Sequence, residues 1–482
     1  MQRARRGIDV QDHEFDEIDA IINAGSMAIV GASGVPMKFG TYFTGVQLSF
    51  GFKGPVYLVN PGEKEIMGRQ AYPDLRSLPE APDIVYITIP AHRSMEVLRD
   101  CAAVGVKGVI ILAAGFREAG EEGKALEEEA LRLAREGGFH IIGPNCFGIY
   151  NPRNRLTLLP GYDFSTTPGD TAFISQSGGF AAHVARLGKS LGIDFSAVVS
   201  YGNAADLNET DLLRYFTRDP HTAVISGYLE GARGGHDFVE ALREATAVKP
   251  VVIWKVGKGE ASRRAVITHT GSLSGSAEIW EALMRQCGVI IASGVEELCD
   301  VLLALKHIGR DPGRRLLISG GGGGLGTYAG DLAEDEGLDV PPLDGGTLDN
   351  LKKILARPGA VAGNPLDIGA PLIPLQQFEP AIWEAARNAS TDILIFDMAV
   401  NFAYDLAGEA GLDLATDILI RAGRESKKAM VVVLYTRSCD PDNLTAEENL
   451  RRVRWKLLDA EIPVYPSMPR ALRAIARVNS GA

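Results

Sequence analysis

Five short polar segments carry the residue types from which chemistry could be built. The stretch GKGEASRRAVITHTGSLSGS, Gly257 to Ser276, is long, polar and punctuated by glycine, with His269 near its centre. Loops of this length without secondary structure are more often functional than structural. A neutral imidazole keeps a free lone pair at neutral pH and its phosphoramidate transfers readily, so His269 is a candidate nucleophile. An ordinary hydrogen-bonded loop histidine is the plainer alternative. Glu230, in YLEGARGG, could accept the imidazole N–H and fix its tautomer, or be an exposed acid in a turn. SQSGGF offers Ser175, Gln176, Ser177, Gly178 and Gly179, which could cradle a phosphate or phosphoryl group, or simply make a serine-capped turn. GASGVPMKFG, Gly31 to Gly40, could bring backbone N–H groups close to a phosphate. It is not the dinucleotide GxGxxG fingerprint, because Ser33 takes the second glycine position and the spacing to Gly40 is wrong. In GPNCFG, Gly143 to Gly148, Asn145 and Cys146 lie at a sharp turn against which a thiol or thioester could rest. A buried, inert cysteine is the competing reading.

The elements that must position these segments alternate. Short β-rich runs are expected at Met27 to Val30, Val56 to Val59, Ile84 to Ile89, Gly108 to Leu112 and His140 to Ile142, with amphipathic stretches between them. That is the pattern of parallel strands joined by covering helices. A second cycle runs through Thr171 to Ile174, Ser196 to Ser200, Ala223 to Leu229, Val251 to Lys255 and Val289 to Ile291. A third begins at Leu316 to Ser319 and continues through Ile393 to Phe396, Met430 to Tyr435 and Pro463 to Pro466. Turn-formers between Asn151 and Gly169, and the polar stretch His307 to Arg315, mark the joins. Three tandem α/β units are therefore expected over residues 1–150, 151–306 and 307–482. In open α/β sheets ligands collect beyond the carboxyl ends of strands, where the polar segments fall. The third unit adds GGGGGLG, from Gly320, and GNPLDIG, from Gly363, whose glycines suit close backbone approach.

Composition narrows the partners. Across 482 residues, 49 Lys and Arg face 61 Asp and Glu for a net charge of −12, which argues against nucleic acid. The longest apolar runs are far shorter than the roughly 20 residues that span a bilayer. Arg3, Arg5 and Arg6 are followed by Asp9, Asp12, Glu14, Asp16, Glu17 and Asp19, where a signal peptide needs an apolar core. The five cysteines are scattered without a CxxC pair, so neither a disulfide framework nor a zinc site is expected and a reducing cytoplasm fits. No metal is expected on this chain.

Taken together, GASGVP, VYLVNP, GPNCFG, SQSGG, YLEG, THTGSLSGS and NPLD resemble, in order and approximate spacing, the nucleoside-diphosphate-forming acyl-CoA synthetases. The resemblance is closest to the α subunits of ADP-forming acetate-CoA ligases, relatives of the succinyl-CoA synthetase α subunit, and runs from about Ser26 to Val478. It implies a Rossmann-like CoA-binding domain followed by two flavodoxin-like domains. His269 then falls on the phosphorylated histidine, Glu230 on the acid that steadies it, and Ser175 to Gly179 on the phosphate-holding helix start. Gly31, Ser33, Gly34, Lys38, Pro61, Pro90, Asn145 and Cys146 fall in the CoA-binding region. The implied reaction converts acyl-CoA, phosphate and ADP reversibly to carboxylate, CoA and ATP through an acyl phosphate and phosphohistidine. ADP or ATP and Mg²⁺ would sit on an ATP-grasp partner chain, in a homo- or hetero-oligomer. Two departures from the family pattern are the five-glycine run at Gly320 and Thr268 in place of a serine. The competing readings are a CoA-dependent acyl transferase on the same fold and a non-catalytic CoA-binding scaffold. A nicotinamide dehydrogenase ranks last for want of the dinucleotide spacing.

Overall fold

The structure, a computed structural model, describes residues 13–264, 276–320, 322–356, 359–369, 375–436 and 444–479. His269 and Thr268 lie outside the described residues. The chain divides into two compact units, Met1–Val295 and Glu296–Ala482.

The first unit contains two seven-stranded sheets. In the first sheet, Met27–Val30 lies between Val56–Val59 and Ile84–Ile87, and Gly108–Ile111 and His140–Ile142 continue the parallel array. Arg69–Tyr72 and the short Glu65–Ile66 complete the other edge. Met27–Val30, Ile84–Ile87 and Gly108–Ile111 are buried along their whole length, because helices cover both faces of the sheet. The chain leaves Met27–Val30 towards one neighbour and later returns on its other side, so a crevice opens at the carboxyl end of that strand.

The second sheet repeats the device, with Thr171–Ser175 between Phe195–Ser200 and Val224–Leu229, and with Val251–Lys255 and Ile290–Ala292 beyond. Its other edge is an antiparallel hairpin, Gly148–Asn151 and Leu156–Thr157, built from part of the turn-rich stretch that follows the first cycle. Asn151 donates from Nδ2 to the Ile22 carbonyl at 3.0 Å, so this hairpin also anchors the segment that leads into the first sheet. One apolar core runs through both sheets, from Ile29 and Ile142 to Ile174 and Val199. Residues 13–22, in the acid-rich segment before Ser26, form a helix that buries Ile18, Ile21 and Ile22, leaves Asp16 exposed, and ties Glu17 to His140 and Asp19 to the Tyr215 hydroxyl.

The second unit is a five-stranded parallel sheet in the order Leu366–Asp367, Leu316–Gly320, Ile393–Ala399, Ala429–Tyr435, Val464–Tyr465. This is the flavodoxin-like order, and the three sheets give the α/β architecture expected from the alternating pattern. Helix Val295–Ile308 packs within this unit. Its Asp300 takes a two-pronged ion pair from Arg470 at 2.6 and 2.8 Å, and its Glu297 pairs with Arg477 at 2.7 Å.

His140 joins three elements of the first unit. Its Nδ1 lies 3.1 Å from Asp206 Oδ2 and its Nε2 3.3 Å from Glu17 Oε2. The Asp206 hydrogen bond, reinforced by Glu17 and opposed by burial, lifts the imidazole to about 9. The stabilisation is complete below the ordinary histidine value, about 6.5, and is lost as pH rises through about 9. His140→Gln should therefore lower stability by on the order of 2 kcal/mol at pH 6 and by almost nothing at pH 10. Urea unfolding of both proteins across that range measures the difference, and a gap that widens with pH would contradict the ion-pair assignment.

Candidate active site

Two clusters sit at the carboxyl ends of strands in the first unit. The first is a cleft of about 1070 Å³ at the switch point of the first sheet. Gly31, Ser33, Lys38, Pro61, Pro90 and Asn145, all picked out by sequence, line it. Gly34 is exposed in the same loop. The loop's shape depends on contact between two glycines: a Cβ on Gly40 would fall 1.8 Å from the Gly31 carbonyl oxygen. Ser33 donates from Oγ to Glu63 at 3.2 Å and accepts from the Val35 N–H at 3.1 Å. Asn60, of the VYLVNP motif, donates to the Ala32 carbonyl at 2.8 Å and so ties the second strand's exit to this loop.

Two helices begin at the cleft, Phe39–Phe50 behind Lys38 and Ala91–Val104 behind Pro90, and neither cap residue makes a side-chain bond to the first turn. Their N–H groups and dipoles favour a negative group, and the exposed Lys38 and Arg93 add positive charge. Arg93 was not among the residues singled out by sequence. The signal was available, because a basic residue in a first helical turn opposes the dipole and calls for another reason to be there.

Asn145 adopts φ 58° and lines the cleft, its backbone N–H donating to the Ala113 carbonyl at 3.0 Å. Cys146 turns the other way. It is 3% exposed, its thiol lies 3.5 Å from the Ile142 carbonyl and 3.7 Å from that of Ile111, and burial pushes its pKa up to about 12. It packs in the core behind the cleft as a neutral thiol.

The second cluster lies at the switch point of the second sheet. Ser177 caps helix Gly178–Leu191, its Oγ accepting from the Phe180 N–H at 3.4 Å, while Ser175 donates to the Ser177 carbonyl at 2.7 Å. Gly178 is required by contact, because a Cβ there would come within 2.5 Å of the Phe147 ring. Gln176 crosses to the next strand: its Oε1 accepts the N–H groups of Glu230 and of Gly231, the latter at 3.0 Å. That amide oxygen braces the loop carrying Glu230. Glu230 itself is 4% exposed, so it is not a solvent-exposed turn acid, and its Oε1 accepts from the Tyr228 hydroxyl at 3.2 Å. Ser175, Gln176 and Glu230 are thus gathered at the ends of neighbouring strands, while His269 lies outside the described residues.

The second unit has a smaller cleft, about 200 Å³, beside the glycine run, lined in part by Ser319, Gly320, Gly322, Asp367 and Asp397. Asp367 Oδ1 accepts from the N–H groups of Gly322 at 3.2 Å and Gly369 at 2.8 Å, so the NPLD motif fixes the glycine loop.

The family model described as a CoA binding domain matches residues 25–152, and the model described as a succinyl-CoA ligase like flavodoxin domain matches residues 168–305. A CoA-binding sheet followed by that flavodoxin-like sheet defines the chain as a member of the acyl-CoA ligase class. Over 475 residues it is 34% identical to the α subunit of acetate–CoA ligase [ADP-forming] I from Pyrococcus furiosus, with 95% of this chain and 96% of that one aligned. The α subunit of the same organism's ligase II is 36% identical over 73% of this chain and 76% of its own. Among solved structures, the dinucleotide forming acetyl-coenzyme A synthetase 1 of Candidatus Korarchaeum cryptofilum, in complex with phosphate and ADP, superposes with a TM-score of 0.82 at 31% identity, covering 96% of each chain. The chain belongs to the ADP-forming acetate–CoA ligase family, as an α-type chain.

The glycine contact gives a direct test of the first cleft. Gly40→Ala forces the loop away from Gly31 and should weaken CoA binding about tenfold or more, a loss of on the order of 1.4 kcal/mol or greater. Cys146→Ser, behind the cleft, should change CoA affinity by less than about threefold. Calorimetric titration of the three folded proteins checks both, and equal affinities for wild type and Gly40→Ala would rule out this loop as the phosphate contact.

Proposed function

We propose that the chain is the α-type subunit of an ADP-forming acyl-CoA synthetase working in a cytoplasmic setting. Among the described residues no helix is long and apolar enough to cross a membrane. Residues 1–150 hold CoA, residues 151–306 carry the phosphorylated histidine, and residues 307–482 complete the subunit. The observation that carries this reading is the buried Glu230, braced by Gln176 beside the helix start at Ser177. A carboxylate taken out of water at a strand end has a purpose when a cationic or N–H-bearing group docks against it.

In the first step a phosphate oxygen attacks the thioester carbonyl. The CoA thiolate leaves with the proton that phosphate gives up, and an acyl phosphate remains. The His269 nitrogen then attacks phosphorus and the carboxylate departs. Glu230 accepts the other imidazole N–H and stabilises the charge that develops on the ring. The helix start at Ser177 presents dipole and N–H groups to the phosphoryl oxygens. Each step exchanges one high-energy bond for another, so positioning and charge stabilisation can supply the catalysis. ADP and Mg²⁺ belong to an ATP-grasp partner chain, which takes the phosphoryl group from the histidine.

The purified chain, given labelled phosphate and a suitable acyl-CoA, should acquire an acid-labile, base-stable label. His269→Ala should abolish it with CoA affinity unchanged, and Glu230→Gln should slow it about tenfold or more, as the loss of a charged hydrogen bond implies. ATP should appear only when an ATP-grasp partner is added. Full labelling of the His269→Ala protein would overturn the assignment, and CoA binding without label across several acyl-CoAs would favour the scaffold.

A further inference from the structure

The mechanism above makes no use of Lys255, yet this lysine is 5% exposed and ends the strand Val251–Lys255 directly opposite Leu229, one residue before Glu230. A lysine so far from water carries a desolvation cost, which needs specific partners to offset it. Its ammonium donates to the Glu230 carbonyl at 2.8 Å and to the Val256 carbonyl. The ring of Trp280, on helix Ala277–Gln286, lies 4.9 Å from Nζ, within cation–π range. One charge therefore bonds the loop that begins with Glu230, the exit of its own strand, and the helix that follows residue 276. A second tie runs in parallel on the outside, where Lys258 meets Glu281 at 3.2 Å. In sequence, His269 lies between these two tied ends.

We propose that Lys255 is a positioning residue of the phosphoryl-transfer site, its ammonium holding the Glu230 backbone, Val256 and Trp280 in one frame. This rests on the ligase reading above, and it assigns Lys255 no contact with substrate. An apolar side chain of similar length would fill the same volume without the desolvation cost, but it would leave two carbonyls and a ring unconnected. The charged groups facing Nζ are Glu230, which holds the proton on, and Lys258, which opposes it; burial is the largest influence, and together they bring the ammonium down to about 8. The frame is therefore mostly charged at pH 7 and loses its charge as pH rises through about 8.

The test compares full-length wild type with Lys255→Met. Amide exchange at Glu230, Gly231 and Val256 should speed up about tenfold or more in the variant, while amides of Thr171–Ser175 stay as in wild type. Unchanged exchange at those three positions would overturn the proposal whatever the protein's activity. Phosphoryl label from acyl-CoA and labelled phosphate should form more slowly on wild type as pH is raised from 7 to 9, whereas Lys255→Met should be about tenfold slower at pH 7 and flat over the range. Wild-type rate and pH profile in Lys255→Met would also overturn it. If wild type takes no label, the ligase reading falls, and exchange alone decides whether Lys255 holds the frame. If Lys255→Met does not fold, Lys255→Arg serves, since guanidinium stays charged. Its labelling should no longer decline between pH 7 and 9, and a wild-type decline would count against Lys255.

Discussion

Glu230 can be buried because its backbone is gripped from both sides. The Gln176 amide oxygen takes the two N–H groups of Glu230 and Gly231, and the Lys255 ammonium takes the Glu230 carbonyl. Each grip comes from the end of an adjacent parallel strand, so the sheet's register sets where the carboxylate stands. A loop pinned at both its donors and its acceptor cannot turn the acid out to solvent without breaking bonds to charged or buried groups, which are the costly ones to lose. Much of the second sheet's design follows: a polar side chain, Gln176, Glu230 or Lys255, at the exit of each of three neighbouring strands, over a floor that is mostly apolar and holds the small buried hydroxyls of Ser175 and Ser226.

The first sheet solves a different problem with the same geometry. There two stretches of backbone must come close to each other, and closeness is obtained by removing side chains. Gly31, at φ 89°, and Gly40 let the loop and the following helix start meet at a distance no Cβ would permit. The two helix starts have no side-chain cap of their own, leaving N–H groups for an incoming anion. In the second sheet the comparable helix start is already capped by Ser177. Its first turn is less open to a permanently bound group and better suited to one that arrives and leaves.

The central parallel strands were legible in the sequence because strands covered on both faces are continuous apolar runs, and their carboxyl-end loops are where the polar motifs fell; the short strands Glu65–Ile66, Arg69–Tyr72, Gly148–Asn151, Leu156–Thr157 and Leu366–Asp367 were not, being too short or too polar to stand out from turns. Side-chain direction was not legible. Cys146 and Asn145 are neighbours in one turn, yet the positive φ at Asn145 turns them to opposite sides, one to the cleft and one to the core. Gln176 reads as one more phosphate donor, but whether an amide faces a ligand or the next strand is a tertiary matter. The helix over residues 13–22 was hidden by its charges, since three isoleucines on one face are a faint signal among so many acids. Lys255 stood only as the last residue of an expected strand, and the three-dimensional meeting of Glu230, Val256 and Trp280 shows the partners that hold it inside.

The glycine run of the second unit shows why composition alone cannot define a binding loop. Helix Gly323–Asp335 has a glycine-rich start at a strand exit, as a phosphate loop would. At that start, however, Asp367 already accepts the Gly322 N–H, and Asp397, held by the Tyr435 hydroxyl at 2.9 Å, stands on the other wall of the cleft. A carboxylate in that place satisfies the dipole and repels a second anion. At the helix starts at Lys38 and Pro90 no side chain caps the first turn and Lys38 and Arg93 stand beside it, while Asp74, Glu96 and Asp100 line the same cleft. It is the charge of the side chains nearest the turn, more than the number of its glycines, that separates an anion-binding helix start from one already closed by its own protein.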